Sequence, residues 1–328
     1  MNTTTGSFWK NRRVLITGYE GFLGSNLTKT LIDAGAKITG LDIKVKRKET
    51  ILSKQDFAKI TIIKGSVAEY KLICDILKRY KINIIFHLAA EAIVGRSQKN
   101  PLKTFETNIK GTWNILEASR QARSIEAIII ASSDKAYGSH DDLPYTEDTP
   151  LCGKHPYDVS KSCADLIAYT YFNTYSLPVA VTRCGNIYGP GDFNFSRVVP
   201  DAIRCALKGK QFIIRSDGKL TRDYIYVEDI VKGYILLVER MKKLKLYGEA
   251  FNFSNENPIT VIEIVKKIYN LTGKKPNYKI FNEAKYEIKH QYLCSQKARK
   301  ILHWKPKYEL EQGLNKTIKF VKDASFVT

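Results

Sequence analysis

Several things are missing from this chain of 328 residues. No apolar run approaches the roughly 18–20 residues that a membrane helix needs. The opening MNTTTGSFWKNRR also has no apolar core of the kind a secretory signal carries. Both absences turn the reading toward a soluble protein with no membrane partner, and cytoplasmic is the expected location. Cys74, Cys152, Cys163, Cys184, Cys205 and Cys294 form no CxxC pair and have no paired histidines. That argues against structural zinc and against a disulfide framework, leaving free thiols that pack as small hydrophobes. Negative charge is scarce: 33 acidic residues face 53 lysines and arginines, a net +20. The lysines are spread along the whole chain, and no RNA- or DNA-binding motif accompanies them, so no nucleic-acid partner is expected. The densest basic run, KVKRKE at 44–49, reads as a solvated loop with a general attraction for small anions. Internal repeats, low-complexity tracts and long linkers are absent as well.

What is present is alternation. RVLIT (13–17), KITGL (37–41), ITIIKG (60–65), INIIFHL (82–88), IEAIIIAS (125–132) and LPVAVTRC (177–184) are β-branched apolar runs that read as buried strands. Between them 22–34, 69–80, 102–123 and 157–176 carry apolar residues at helical spacing. Strand–helix alternation of this kind predicts an α/β fold with a doubly wound parallel (Rossmann) sheet. After about residue 190 the pattern becomes shorter and mixed, which predicts a smaller α/β domain closing over the first. The boundaries expected are 1–190, with 224–250 returning to it, and then 191–223 with 251–328. Residues 258–273 and 308–323 read as peripheral helices.

VLITGYEGFLGSNL puts Gly18, Gly21 and Gly24 between the first strand and the first helix. Glycines there permit a tight turn and let backbone N–H groups approach a pyrophosphate at the positive end of the helix. Asp42 ends the second strand, 18 residues beyond Gly24. A carboxylate at that point accepts from the adenosine ribose and repels a 2′-phosphate, so NAD is favoured over NADP, while Lys44, Lys46 and Arg47 just after it pull the other way.

YDVSK at 157–161 places Tyr157 and Lys161 one helical turn apart on one face. The ammonium can hold a nicotinamide ribose and bring the phenol's pKa down toward neutrality. Ser133 completes a Ser/Tyr/Lys set. Taken in order with TGYEGFLG, Asp42 and HLAA (87–90), these residues resemble the extended short-chain dehydrogenase/reductase family, in particular its NAD-dependent nucleotide-sugar epimerases and dehydratases. RCGNIYGPG (183–191), TRDYIYVED (221–229) and ARKILHWKP (298–306) are similar to later landmarks of that family. SDK before a tyrosine, the opening FWKNRRVLITG and IIRSDGKLTRDY look closest to CDP-glucose 4,6-dehydratases, while YGPGDFNFSRVVP is shared with other sugar-nucleotide enzymes. The base and the sugar are left open.

The resemblance implies an NAD site made of Gly18, Gly21, Phe22, Leu23, Gly24, Asp42, Ile43, Ser66, Val67, Leu88, Ala89, Ala90, Asn108, Tyr157 and Lys161. For the substrate it implies Glu91, Ser133, Asn186, Arg197, Val198, Arg215 and Arg222, with Arg222 matched to the diphosphate by its guanidinium geometry. Two positions depart from the family: Ser66 stands where an Asp usually contacts adenine, and His303 where Gly is common, which is expected to affect packing only. His87 is expected to pack at its strand end, since no second ligand stands at metal spacing, and no metal is expected. Glu91 and Arg96 orient the pocket or pair with each other.

Asp134 and Lys135 separate two reactions. A 4-epimerase needs the Ser/Tyr/Lys set alone, whereas a 4,6-dehydratase also needs a base for the C5 proton and an acid for the C6 hydroxyl. Asp134 fits the acid if its site keeps it protonated. The resemblance gives Lys135 the C5-base position, which other dehydratases fill with Glu, burial and neighbouring positive charge having to lower a free pKa of about 10.4. Otherwise Lys135 stays charged and steadies an enolate while water or another group takes the proton. A surface ion pair is the bland reading of 134–135. The family also implies a homodimer through helices 102–123 and 157–176, whose apolar stripe of Ile109, Trp113 and Leu116 is hidden either in a four-helix bundle or against the parent sheet.

Overall fold

The computed structural model describes residues 5–47, 49–283 and 287–323; Lys48, in the basic run, lies outside the described residues. The six apolar runs of the first half become strands β1 (Arg13–Thr17), β2 (Lys37–Asp42), β3 (Ile60–Lys64), β4 (Ile84–His87), β5 (Ala127–Ala131) and β6 (Val179–Cys184). Inner strands such as β4 are buried at every residue, because helices cover both faces and no side of the strand meets water. A seventh strand, Ala250–Phe253, joins beside β6, and the order is then β6-β5-β4-β1-β2-β3. Val14 of β1 lies opposite Ile38 of β2 and Ile84 of β4, both in parallel pairing. The strand order reverses between β1 and β4. In an open parallel sheet that switch point is where the carboxyl ends diverge and a ligand crevice opens.

Helices α1 (Phe22–Asp33), α2 (Tyr70–Tyr80), α3 (Gly111–Ala122) and α4 (Pro156–Tyr175) follow the predicted spans closely. The exception is 102–123, which is three pieces: an α-helix Pro101–Phe105, a π-helical turn Glu106–Lys110, and α3. One core cluster gathers Leu15, Ile85, Ile128 and Val181 of the sheet with Ile76, Ile115, Leu116 and Ala168 of α2, α3 and α4. Leu116 is fully buried in this cluster, so of the two readings of the stripe it takes the one that faces its own sheet. Trp113, three residues earlier, is exposed.

Contacts divide the chain into two compact units. The first comprises Met1–Gly138, Thr149–Arg183 and Val231–Phe251. The second comprises Ser139–Asp148, Cys184–Ile230 and Asn252–Thr328. Segments 139–148 and 184–190 fall in the second unit although the sequence pattern runs them on from the first; they carry turn residues and no long apolar run to mark the change. Inside the second unit Thr221–Tyr226 pairs with Asn186–Tyr188, Pro258–Thr260 and His290–Gln291. Its core packs Tyr188, Tyr224 and Tyr226 with Ile203, Ile264 and Leu314. The buried Asp223 carboxylate gathers the loop after Phe253, accepting from Asn255 N at 2.7 Å, Glu256 N at 3.1 Å and the Ser254 hydroxyl.

His303 caps the helix Gln296–Leu302 with φ +42°, in the left-handed region that favours glycine. The departure from Gly is thus a matter of backbone conformation, and the imidazole itself is exposed.

Candidate active site

The turn after β1 is built from positions that tolerate no side chain. Gly18 has φ +71°, and a Cβ there would lie 3.0 Å from the Ala89 backbone. A Cβ on Gly24 would lie 2.0 Å from the Gly18 carbonyl, so α1 could not approach β1. Helix α1 begins at Gly21 with no side chain capping its first amides, which leaves the positive helix end available to an anion. Phe22 and Leu23 open the helix and are half-buried. At the end of β2 the buried Asp42 accepts from Lys44 N at 3.1 Å and Arg47 Nη2 at 2.8 Å through Oδ1, while Oδ2 has no partner among the described residues. A glycine cradle beside a buried unpaired carboxylate oxygen fits a dinucleotide with a free ribose diol. Ile43 is exposed just beyond. Ser66 is half-buried, and its hydroxyl accepts from Ala68 N at 3.1 Å; buried Val67 accepts from Asn114 Nδ2 at 3.0 Å through its carbonyl.

The carboxyl ends of β1 and β4 are tied through Thr17. Its hydroxyl oxygen accepts from Leu88 N at 3.2 Å and Ala89 N at 3.1 Å, so its hydrogen goes to His87 Nδ1 at 2.9 Å. That fixes the imidazole tautomer with hydrogen on Nε2. Burial and the nearby Lys161 charge push His87 down to about 3, so it is a neutral packing residue. Ala90 follows, half-buried. Asn108 sits inside the π-helical turn, donating to Ser160 Oγ at 2.8 Å and Glu91 O at 3.2 Å and accepting from Glu91 N at 2.8 Å. Asn108 is buried within that turn, and π-turns are frequent at functional sites. Glu91 makes no ion pair with Arg96, which is exposed; the alternative in which they pair is corrected.

Strand β5 ends at Ala131, one residue before Ser132 and ahead of Ser133 and the Asp134–Lys135 pair. Ser133 caps a 3-10 turn, Asp134–Tyr137, accepting from Lys135 N at 3.2 Å and donating to Asp134 Oδ1 at 2.8 Å. Asp134 is buried and Lys135 half-buried, so the bland surface-pair reading fails on Asp134. Helix α4 supplies Tyr157 and Lys161. The Lys161 Nζ donates to Ala131 O at 2.7 Å and stands 5.9 Å from the centre of the Tyr157 ring. Ser162 Oγ, on the same helix, donates to Ala136 O at 2.8 Å, fastening the turn to α4. The sequence reading missed Asp158, buried beside Tyr157. Desolvation pushes its carboxyl up, Lys135 and His155 pull it back, and Asp134 adds to the rise.

Behind the turn lies a second feature without a sequence signal. Arg183 of β6 grips Asp165 of α4 bidentately, Nε to Oδ2 and Nη2 to Oδ1 both 2.8 Å, and donates from Nη1 to the Tyr137 hydroxyl at 2.8 Å. All three are buried. The network joins the last residue of the 3-10 turn to the helix carrying Tyr157.

In the second unit, Asn186 opens a strand, half-buried. Arg197 precedes the helix Val198–Lys208 and pairs with buried Asp192 at 3.3 Å. Val198 is half-buried and Arg215 exposed. Arg222 is buried, donating to Thr221 O at 2.8 Å, Lys289 O at 3.3 Å and Glu287 at 3.1 Å. Among the described residues no cluster of three or more His, Cys, Asp or Glu could hold a metal, all six cysteines are free, and no helix is long and apolar enough to cross a membrane.

A glycine turn at the switch point of the sheet, with Ser133 just past β5 and Lys161 of α4 bonded to the end of that strand beside Tyr157, is the pattern of an extended short-chain dehydrogenase/reductase. The chain belongs to the GDP-mannose 4,6 dehydratase family, whose sequence profile matches residues 15–317. It is 30% identical over 334 residues to CDP-glucose 4,6-dehydratase of Salmonella typhimurium, with 96% of this chain and 92% of that protein covered. It is also 30% identical over 328 residues to UDP-glucuronate 4-epimerase of Thermodesulfobacterium geofontis, covering 94% and 96%. The crystal structure of dTDP-glucose 4,6-dehydratase from Bacillus anthracis, in complex with NAD, matches at TM-score 0.85 and 29% identity, with 96% of this chain and 98% of that chain covered. Dehydratases and epimerases of nucleotide sugars are thus the enzymes this chain resembles.

Proposed function

We propose that the chain is an NAD-dependent NDP-sugar 4,6-dehydratase, similar to the CDP-glucose enzyme, which gives an NDP-4-keto-6-deoxy sugar. The first unit is the NAD-binding part, through the glycine turn, Asp42, and the residues after β3 and β4. The second unit is the nucleotide-sugar part, with Arg222, Arg197, Arg215 and Asn186 offering donors to the diphosphate, the base or a sugar hydroxyl.

Bound NAD supplies the reversible hydride store that such a cycle needs. Tyr157, as phenolate beside Lys161, takes the O4 proton while Ser133 holds the same oxygen, and C4 becomes a ketone. The C5 proton is then acidic, because the carbanion it leaves is conjugated with that ketone. Lys135 takes it, or as an ammonium steadies the enolate while water does so. Asp134 gives a proton to the C6 hydroxyl, the C6–O bond breaks, and water leaves. Hydride finally adds to C6 and a proton to C5, so the sugar loses one water and net redox is zero.

The observation that carries this reading is the buried Asp134, hydrogen-bonded to Ser133 on a turn fastened to the helix of Tyr157. A 4-epimerase leaves C5 and C6 untouched and asks nothing of an acid there. The equal identity to an epimerase keeps that reaction as the second reading. Incubation with a panel of NDP-hexoses separates them. A dehydratase product absorbs in alkali and has lost the mass of one water, an epimer keeps its mass, and a non-catalytic NAD-binding scaffold gives neither.

We read the chain as a homodimer through the face that exposes Leu102, Trp113, Leu166 and Tyr169. Large apolar side chains gathered on α3, α4 and the short helix before them would be hidden in a four-helix bundle. A monomeric mass by light scattering contradicts this.

A further inference from the structure

Three ionisable side chains meet where α4 packs on the 3-10 turn. Asp134 and Lys135 belong to the turn, and Asp158 belongs to the first turn of the helix. Both carboxyl groups are buried and the lysine is half-buried. Two carboxyl groups beside one ammonium titrate as a set, so what matters is which of them keeps a proton.

Asp158 is fixed from several sides. Its carboxylate accepts from the backbone N–H of His155, the residue before the helix. The loop that brings in His155 is itself tied down: Cys152 N donates to Tyr137 O at 3.2 Å and Gly153 N to Ser162 Oγ at 3.3 Å. The loop approaches too closely for side chains at two points. A Cβ on Gly138 would lie 2.1 Å from Cys152 O, and one on Gly153 would lie 2.5 Å from the Asp158 backbone. Asp158 is thereby held out of water against the turn that carries Asp134 and Lys135.

The charges that act on Asp158 are Lys135 and Asp134 of the turn and His155 of the loop. Burial pushes its carboxyl up, Lys135 and His155 pull it back toward the ionised form, and Asp134 adds to the rise. On α4 itself Lys161 donates to Ala131 O at 2.7 Å beside Tyr157, while Lys154 and Cys152 of the loop are exposed. Asp134, for its part, accepts from the Ser133 hydroxyl at 2.8 Å.

We propose that Asp158 is a positioning residue that balances the charge of Lys135, keeping Lys135 an ammonium and leaving the proton to Asp134. The inference rests on the dehydratase reading and decides between the two parts which that reading leaves to Lys135. One ammonium and one carboxylate cancel, so the set is neutral while Asp134 is protonated, and burial disfavours a net charge. The ammonium then steadies the enolate. The C5 proton passes through water to restore Asp134, whose own proton has gone to the C6 hydroxyl. The C6–O bond breaks and one water leaves, so no proton is gained or lost in the elimination.

The test is single-turnover elimination by the full-length chain across about pH 6–10, a range that brackets neutrality and approaches the free lysine pKa. The substrate is whichever hexose of the NDP-hexose panel the parent dehydrates fastest. The parent is compared with Asp158→Asn and Asp158→Ser, which keep an oxygen for the His155 N–H, and with Asp158→Glu, which keeps the charge. Without the counter-charge both Asp134 and Lys135 lose their protons more readily. The alkaline limb of elimination is therefore expected to fall by about 1 pH unit or more in the two neutral variants. C4 oxidation, read in the reduced-nicotinamide band, should keep its parental profile, and Asp158→Glu should move the limb back. The inference is overturned if the limb stays in place, or if a neutral variant eliminates faster at neutral pH, as an uncharged Lys135 base would. Loss of both steps together in the neutral variants assigns Asp158 a structural role only and overturns it too. A parent that dehydrates none of the hexoses overturns the dehydratase reading, and this inference with it.

Discussion

Ser133 gives its hydroxyl hydrogen to Asp134, Oγ to Oδ1 at 2.8 Å, and both side chains are buried. The group assigned to the sugar's O4 and the group assigned to its C6 hydroxyl are thus one hydrogen-bonded unit. Ser133→Ala is expected to slow both C4 oxidation and elimination, each by about 10-fold, the worth of one hydrogen bond. Ser133→Thr, which keeps the hydroxyl, should recover most of the rate. Single-turnover kinetics on the two steps checks this, and an effect on one step alone contradicts the coupling.

The Arg183–Asp165 pair, 7% and 6% exposed in its side chains, supports the turn from behind. Asp165→Asn leaves a buried guanidinium without its counter-charge and is expected to cost about 3–5 kcal/mol of stability. Tyr137→Phe removes one hydrogen bond and is expected to cost about 1–3 kcal/mol, since the buried guanidinium N–H loses its acceptor. Denaturant unfolding of the two variants reads both values. Equal, small losses would mean that the network contributes little.

His87 predicts a pH dependence of stability. Burial and Lys161 hold it at about 3 in the folded chain against 6.5 for the free side chain. Between these values the unfolded chain binds a proton that the folded chain refuses. The contribution is therefore complete above about pH 6.5 and is lost as pH falls toward about 3, with a slope near 1.4 kcal/mol per pH unit. His87→Asn should flatten the acid side of the stability profile by that amount. Parallel profiles for parent and variant contradict it.

Gly18, Gly21 and Asp42 stood out because each sits at an element boundary where local chemistry constrains the residue type, and Tyr157 and Lys161 because four-residue spacing puts them on one face of a helix. The parallel sheet was legible for a similar reason, since β4 and β5 are continuous apolar runs. Long-range partnerships left no such trace. Glu20 meets Arg47 27 positions away, and Arg183 reaches Tyr137 across 46. No periodicity announces either one. The π-turn around Asn108 left no signal because one inserted residue barely disturbs a helical pattern. Leu116 stayed open between two readings because an amphipathic stripe does not say which neighbour it faces, and here it faces its own sheet.

The most direct test of the dehydratase reading is a single-turnover absorbance trace of Asp134→Asn in the reduced-nicotinamide band, with solvent deuterium at C5 followed in parallel. Tyr157, Lys161 and the cofactor turn are untouched in this variant, so C4 oxidation should proceed and reduced cofactor should build up on the enzyme. Water loss should slow by about 10²–10⁴-fold, the usual worth of a general acid. Tyr157→Phe, by contrast, should stop the reaction before any reduced cofactor forms. If Asp134→Asn eliminates water at the parental rate, Asp134 is not the acid, and the epimerase reading becomes the better one.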